Sequence, residues 1–125
     1  MNNHLKARPT TYKGIHMRSR LEALFAAHLD SRHKTWQYEP RAYGNEHAQY
    51  LPDFQLGSAY IEIKPETADH DAALERMHVI LDSEPHAHLT VFTRTRSGWV
   101  ETASCTGLEG IGTCTCQRRR LTIPT

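Results

Sequence analysis

The sequence contains no long uninterrupted hydrophobic stretch. No apolar run approaches the roughly 18 residues that a membrane-spanning helix needs, so we expect neither a transmembrane segment nor a membrane partner. Residues 1–4 are polar and lack the hydrophobic core of a signal peptide, which favours a cytoplasmic location. Cysteine is scarce as well. The three cysteines all follow residue 104, and this small odd number excludes the dense disulfide framework of a small secreted domain.

Internal repeats and low-complexity segments are also absent from the 125 residues. A chain of this length forms one compact domain with one core, which leaves room for one active site or binding face. Apolar residues make up 38% of the sequence and charged residues 23%, a balance typical of a soluble globular protein and not of a disordered one.

The formal net charge of +1 conceals a strong division along the chain. Residues 1–36 carry a net charge of +5, residues 37–90 carry −7, and residues 91–125 carry +3. Acidic side chains that hold a cation, flanked by basic segments that contact a polyanion such as nucleic acid, would produce this pattern. Chance clustering on a solvated surface explains it equally well.

Hydrophobic periodicity predicts an α/β fold. A helix is expected after a Ser19 cap, because apolar residues recur there at the spacing of one helix face. That face comprises Leu21, Leu24, Phe25, His28 and Leu29. Residues 1–17 are expected to form an irregular basic arm, since Pro9 and Gly14 interrupt regular structure.

Four strands and a second helix are also predicted, and a fifth strand is possible. The strands cover residues 35–38, 50–56, 59–64 and 89–93, the helix residues 69–81, and the optional strand residues 99–102. Gly57-Ser58 predicts a hairpin turn, and the second helix is long enough to return the chain for a parallel strand. The order is therefore αβββαβ, divided into an arm (1–17), a core (18–103) and a tail without confident structure (104–125).

The motif with the clearest chemistry is Pro52-Asp53 followed across the hairpin by Glu62-Ile63-Lys64. Glu62 and Lys64 are two residues apart on a strand and share a face, whereas Ile61 and Ile63 point to the core on the other face. Asp53 on the neighbouring strand is expected beside them. Mg²⁺ needs one or two carboxylates and other oxygen ligands, for which Asp53, Glu62 and the Ile63 carbonyl are candidates.

Each of these residues also has an ordinary interpretation. Charged residues that alternate on a strand usually form its solvent face, and Asp53 is suited to a turn. Their joint occurrence across one hairpin favours a site. Glu22, near the border of the first helix's apolar face, is a fourth candidate, although Ser19 and Glu22 also have the spacing of a capping box.

The set Glu22, Asp53, Glu62 and Lys64, on helix, strand and strand, resembles the PD-(D/E)XK nuclease superfamily, whose core is αβββαβ. Residues 12–95 are similar to small phage and mobile-element endonucleases, among them junction-resolving and transposon-end nucleases. The similar runs are Arg18-Ser19-Arg20-Leu21-Glu22, Trp36-Gln37-Tyr38-Glu39-Pro40 and Tyr50-Leu51-Pro52-Asp53-Phe54.

The resemblance implies a restriction-endonuclease-like fold and hydrolysis of DNA with Mg²⁺ or Mn²⁺, leaving 5′-phosphate and 3′-hydroxyl ends. It assigns Asp53 and Glu62 as metal ligands, Lys64 as the residue that positions water or stabilises charge, and Glu22 as a ligand to a second metal or its water. A phage-encoded protein of this kind would act in the cytoplasm of a bacterial host.

Basic residues are the candidates for contacts to DNA, with solvated surface as the alternative. They are Lys13, Arg18, Arg20, Arg76, Arg118, Arg119 and Arg120. Cys105, Cys114 and Cys116 are candidate ligands of a structural Zn²⁺, although free thiols are the simpler interpretation.

The sequence therefore predicts a metal-dependent endonuclease. We expect structured or branched DNA as its substrate, because one small domain leaves little surface for reading bases. A homodimer would cut two strands, and a phage or transposition protein is a further expected partner. Two alternatives remain: a non-catalytic nucleic-acid-binding or assembly protein with the same fold, and a zinc-stabilised interaction module.

Overall fold

A computed structural model describes residues 8–107 of the chain. Within that range the backbone forms nine strands and three helices. The strands are β1 (Thr10–Tyr12), β2 (Ile15–Met17), β3 (Gln37–Tyr38), β4 (Tyr43–Gly44), β5 (Gln49–Tyr50), β6 (Phe54–Leu56), β7 (Ala59–Ile63), β8 (His88–Thr95) and β9 (Gly98–Thr106). The helices are α1 (Arg20–Ser31), α2 (His70–Met77) and α3 (Ile80–Ser83). The chain divides into two compact units between Trp36 and Gln37.

The first unit opens with a hairpin of β1 and β2. Lys13 and Gly14 form its turn with φ angles of 50° and 81°. Two positive φ values in succession suit the twist of a two-residue hairpin, and glycine adopts one of them without steric cost. The expectation of an irregular arm is therefore wrong for residues 10–17. Lys-Gly is not one of the Asn-Gly or Asp-Gly pairs that usually indicate this turn.

Helix α1 begins as predicted. The Ser19 hydroxyl accepts a hydrogen bond from the Glu22 backbone N–H at 3.1 Å, which satisfies one of the free amides of the first turn. The buried face, however, is rotated from the predicted one, and Leu24 is 37% exposed. That face consists of Glu22, Ala23, Phe25, Ala26 and Leu29. Small alanines permit close packing and so define the face more than leucine does.

Asp30 joins the hairpin to α1. Its carboxylate accepts hydrogen bonds from the Tyr12 hydroxyl at 2.6 Å and the Trp36 indole N–H at 2.8 Å, and Lys13 Nζ lies 2.9 Å away. The Tyr12 and Trp36 hydrogen bonds, followed by that from Lys13, lower the pKa of Asp30 to about 2. The carboxylate is thus held in its charged form by three donors.

The second unit contains a five-stranded mixed sheet in the order β3-β6-β7-β8-β9. Strands β7 and β8 are parallel, and the other neighbouring pairs are antiparallel. The predicted hairpin and the predicted parallel pair are both confirmed, as is the mixed α/β class. Helices α2 and α3 connect β7 to β8, as a parallel connection requires.

The predicted strand over residues 50–56 is wrong because it combines two strands. Tyr50 belongs to β5, which pairs with β4 in a separate hairpin, and β6 begins only at Phe54. Pro52 lies between them, and proline has no N–H to donate to a ladder. Strand β9 is longer than the predicted strand over residues 99–102. It extends to Thr106, so residues 104–106 of the predicted tail belong to a strand.

The predicted helix over residues 69–81 is divided into α2 and α3. Asp69 caps α2 by accepting a hydrogen bond from the Ala72 N–H at 3.0 Å. The predicted apolar face is confirmed, because all five of its residues are buried: Ala73, Leu74, Met77, Ile80 and Leu81. They form one core cluster with sheet residues that include Tyr60, Leu89, Val91 and Cys105. This core contacts the face of β7 that Tyr60 shares with Glu62, so both faces of the strand are buried and not only that of Ile61 and Ile63.

In residues 8–107 no helix is both long and apolar enough to cross a membrane. The division into arm, core and tail stays a prediction, as does the cytoplasmic location. The tail residues Arg118, Arg119, Arg120, Cys114 and Cys116 lie outside the described part of the chain.

Candidate functional site

Asp53 and Glu62 lie side by side at one end of the β6–β7 hairpin. The ladder pairs Phe54 with Ile61, and continuing it by one residue places Asp53 opposite Glu62. The Ile63 backbone N–H donates a hydrogen bond to Asp53 Oδ2 at 2.8 Å, which anchors this carboxylate against β7. Both residues are only 7% exposed. Two buried acidic residues, one just before β6 and one on β7, therefore lie next to each other.

Lys64 adds a positive charge to this pair. Its backbone N–H donates to the Phe92 carbonyl at 3.0 Å, so the β7–β8 ladder continues as far as this residue. Glu62 and Lys64 consequently share a face, and Lys64 Nζ lies 3.4 Å from Glu62 Oε2. The lysine side chain is 28% exposed, more than the 10% of Glu62. The Lys64 ammonium group thus lies beside the buried Glu62 carboxylate and is partly accessible to solvent.

Tyr50 is a member of the cluster that the sequence did not indicate. Its hydroxyl donates a hydrogen bond to Glu62 Oε1. Burial raises the pKa of Tyr50 far above its ordinary value, and the charge and hydrogen bond of Glu62 and the charge of Asp53 raise it further, against a smaller opposite effect of Arg76. The phenol therefore keeps its proton and acts as a donor. The charges of Glu62, Asp53 and Arg76 all affect the Tyr50 hydroxyl, which indicates that these three side chains lie near one another.

Thr93 borders the same cluster. Continuing the β7–β8 register by one residue places it beside Lys64, on the face that Leu89 and Val91 share with Tyr60 and Glu62. The residue is 2% exposed, and its hydroxyl has no hydrogen-bond partner among residues 8–107. A buried hydroxyl without a partner costs free energy, which makes this position a departure from ordinary packing.

The donor set fits a hard divalent cation. Asp53 and Glu62 are two buried acidic residues next to each other, and the positive charge of Lys64 offsets one of their negative charges. In the described range, no group of three or more His, Cys, Asp and Glu side chains is arranged to hold a metal ion. Mg²⁺ commonly takes one or two carboxylates and completes its shell with water and phosphate oxygens. The Ile63 carbonyl stays a predicted ligand.

Glu22 lies in the first unit. It is 7% exposed, in the middle of the buried face of α1, and its backbone N–H makes the bond to Ser19 that a capping box requires. Its role as a metal ligand stays a prediction.

The residues predicted to contact nucleic acid lie in different parts of the structure. Lys13 pairs with Asp30, and Arg18 and Arg20 are exposed near the start of α1. Arg76 is exposed on α2 and acts electrostatically on Tyr50. Arg76 belongs to the same unit as the acidic cluster and is associated with it through this effect on Tyr50.

Cys105 is 1% exposed within β9 and is disulfide-bonded. A sulfur in a disulfide is neither a free thiol nor a zinc-binding thiolate, so both predictions are wrong for Cys105. Cys114 and Cys116, the other two predicted zinc ligands, lie outside the described residues.

No family model, no curated protein and no solved structure matches the chain. The residues and the geometry of the acidic cluster are therefore the basis for inferring a function.

Proposed function

We propose that the chain is a metal-dependent endonuclease of the PD-(D/E)XK type that hydrolyses phosphodiester bonds of DNA. The observation that carries this proposal is the cluster of Asp53, Glu62 and Lys64 at one end of the β6–β7 hairpin. Two carboxylates beside one ammonium group are suited to binding a divalent cation next to a phosphate.

The order of the elements supports the proposal. Leaving out the two small hairpins, β1–β2 and β4–β5, the chain runs α1, β3, β6, β7, α2, α3, β8, β9. This order agrees with an αβββαβ core that has a divided second helix and one additional strand. The acidic pair lies on and just before the second and third strands of that core, where the motif is expected.

Each residue of the cluster has a distinct task in this proposal. A bound Mg²⁺ supplies Lewis acidity and a lowered pKa for water. Asp53 and Glu62 provide the carboxylate oxygens that hold the cation, and the Ile63 N–H fixes the direction of Asp53. Lys64, partly exposed, presents a charged donor to the attacking water and to the negative charge that develops on the phosphate. Tyr50 orients Glu62.

Further features follow from the same proposal. The products carry 5′-phosphate and 3′-hydroxyl ends, and the role that the resemblance assigns to Glu22, as a ligand to a second metal or its water, is part of the proposal. Structured or branched DNA is the proposed substrate, since few residues are left for reading bases. A homodimer, or a phage or transposition partner, directs the cut to two strands.

A cleavage assay on several DNA structures tests the proposal. Wild type and Lys64→Ala are incubated with linear duplex, single-stranded and four-way-junction DNA in Mg²⁺, Mn²⁺ or EDTA. We expect cleavage of at least one substrate only with a metal, and a loss of about 100-fold or more in Lys64→Ala, as for removal of one donor to a developing charge.

Lys34→Ala is the matched control, because Lys34 is an exposed lysine of the first unit outside the acidic cluster. It should cut at the wild-type rate. Absence of cleavage of every substrate by the wild type would contradict the nuclease proposal and favour a non-catalytic nucleic-acid-binding protein.

A further inference from the structure

The β8–β9 hairpin extends beyond the end of β7. The last paired residue of β7 is Ile63, opposite Phe92, whereas β8 continues to Thr95 and β9 begins at Gly98. We call residues 94–99 the hairpin tip. Because β7 and β8 are parallel, the tip continues from the same end of the sheet at which Lys64 leaves β7.

The tip has a defined conformation. Thr95 pairs with Gly98, and its hydroxyl donates to the Gly98 carbonyl at 3.2 Å while it accepts from the Ser97 N–H at 3.1 Å. Gly98 has a φ of 117°, a value that glycine adopts without strain. These bonds close the turn over Arg96 and Ser97, so the side chains of the tip lie on a closed two-stranded ribbon.

The tip is basic. Arg94 and Arg96 are exposed, and residues 93–100 contain no acidic side chain. Neither arginine forms an ion pair with a carboxylate in the described part of the chain, whereas Lys13 and Arg41 both do. Trp99 lies opposite Arg94 in the ladder. Two exposed guanidinium groups that form no ion pair within residues 8–107 are suited to phosphate oxygens.

The spacing from the acidic cluster is appropriate for a DNA strand. Thr93 is level with Lys64, and Arg96 lies three residues farther along the chain. At about 3.3 Å per residue this corresponds to about 10 Å. This distance is comparable with the axial rise of about three base pairs of duplex DNA, at about 3.4 Å each.

We infer that the hairpin tip binds the phosphate backbone of duplex DNA at the end of the sheet that carries the acidic cluster. The contacts are made by Arg94 and Arg96. These two residues alternate with Thr93 and therefore lie on the face opposite to that of Lys64. This inference rests on the proposed nuclease function and adds the surface that positions its substrate. A two-stranded ribbon has the width that the major groove of DNA accepts. The duplex then crosses the end of the sheet at which β7 stops, with a strand passing over Lys64.

The salt dependence of DNA binding tests the inference. Duplex binding is measured by fluorescence anisotropy between about 0.05 and 0.2 M salt. Lys64→Ala is the parent protein because it should bind without cutting. Adding Arg94→Gln and Arg96→Gln should reduce the slope of log K against log salt by about 1.8, and weaken binding near 0.1 M salt by about 10- to 100-fold.

The control carries Arg32→Gln and Lys34→Gln in the same parent. This pair removes the same charge from exposed positions of the first unit, and its slope should change by less than about 0.5. The turn variant Arg96→Gln alone should give about half the effect of the pair, and it keeps the test usable if the double variant does not fold.

The outcomes separate the two proposals. If the tip variants bind DNA as the parent does, while the wild type still cuts DNA, the inference is wrong and the nuclease function stands. An equal loss in the control pair shows a general effect of net charge and also overturns the inference. If the parent binds no DNA and the wild type cuts none, both proposals are wrong.

Discussion

Replacing Tyr50 by phenylalanine should destabilise the protein by an amount that the Glu62 contact determines. The change removes only the hydroxyl that donates to Glu62 Oε1, so the ring still fills its space. Hydrogen bonds to charged groups contribute about 1.5–3 kcal/mol, and Glu62, at 7% exposure, has little access to water as a replacement. For a chain of this size the loss corresponds to a decrease in Tm of about 5–12 °C.

Tyr43→Phe is the matched control for this prediction. The Tyr43 hydroxyl donates to the Tyr60 hydroxyl at 3.0 Å, a buried bond between neutral groups that should be worth about 0.5–1.5 kcal/mol. Chemical denaturation of both variants, and of Tyr50→Phe combined with Glu62→Gln, gives the comparison. We expect a coupling of about 1 kcal/mol between positions 50 and 62. Equal losses in the two phenylalanine variants, together with additivity in the double variant, would show that the contact with Glu62 does not determine the loss of stability.

Three other predictions concern single residues. Asp30 has a pKa lowered to about 2, so its contribution to stability is present above about pH 4, the ordinary range of an aspartate, and disappears as the pH falls toward 2. Acid titration followed by circular dichroism should therefore show a shallower loss of stability between about pH 4 and 2 in Asp30→Asn than in the wild type, and parallel curves would contradict this assignment. Thr93→Val removes a buried hydroxyl that has no hydrogen-bond partner within residues 8–107, so calorimetry should give an unchanged or higher Tm. A decrease of more than about 1 kcal/mol in the free energy of unfolding would mean that the hydroxyl forms a hydrogen bond in solution. Glu22→Gln keeps the geometry of a helix cap, so its Tm should stay within a few degrees of wild type while DNA cleavage falls strongly, and full activity would assign Glu22 to the cap alone.

The elements that could be predicted are those with a local pattern. The Ser19 cap, the Gly57-Ser58 hairpin and the apolar face of residues 73–81 depend on residues close in sequence, and the structure has all three. The alignment of Asp53 with Glu62 also follows locally, since a short hairpin sets its register.

Other features could not be predicted because their causes are not local. The hairpin of residues 10–17 has an unusual Lys-Gly turn, and the division of residues 50–56 depends on which strand each half pairs with. Tyr50 enters the acidic cluster from a separate hairpin, through a contact with a residue twelve positions away. Side-chain contacts of this kind depend on how hairpins pack, which hydrophobic periodicity does not report.

The position of the hairpin tip could not be predicted for the same reason, because it depends on how strands pair. In the sequence, Arg94 and Arg96 are two basic residues among several. Only the parallel register of β7 and β8, and the length by which β8 extends beyond it, place them at the same end of the sheet as Lys64.

Equilibrium binding of Mn²⁺, measured by electron paramagnetic resonance, tests the central claim most directly. The claim is that Asp53 and Glu62 hold one divalent cation between them. We predict at least one bound ion per chain in the wild type, and a loss of affinity of about tenfold or more in both Asp53→Asn and Glu62→Gln, equivalent to about 1.4 kcal/mol. Asp71→Asn, at an exposed position in the first turn of α2, should bind as the wild type does. Equal Mn²⁺ affinity in the wild type and all three variants would show that Asp53 and Glu62 do not hold the cation.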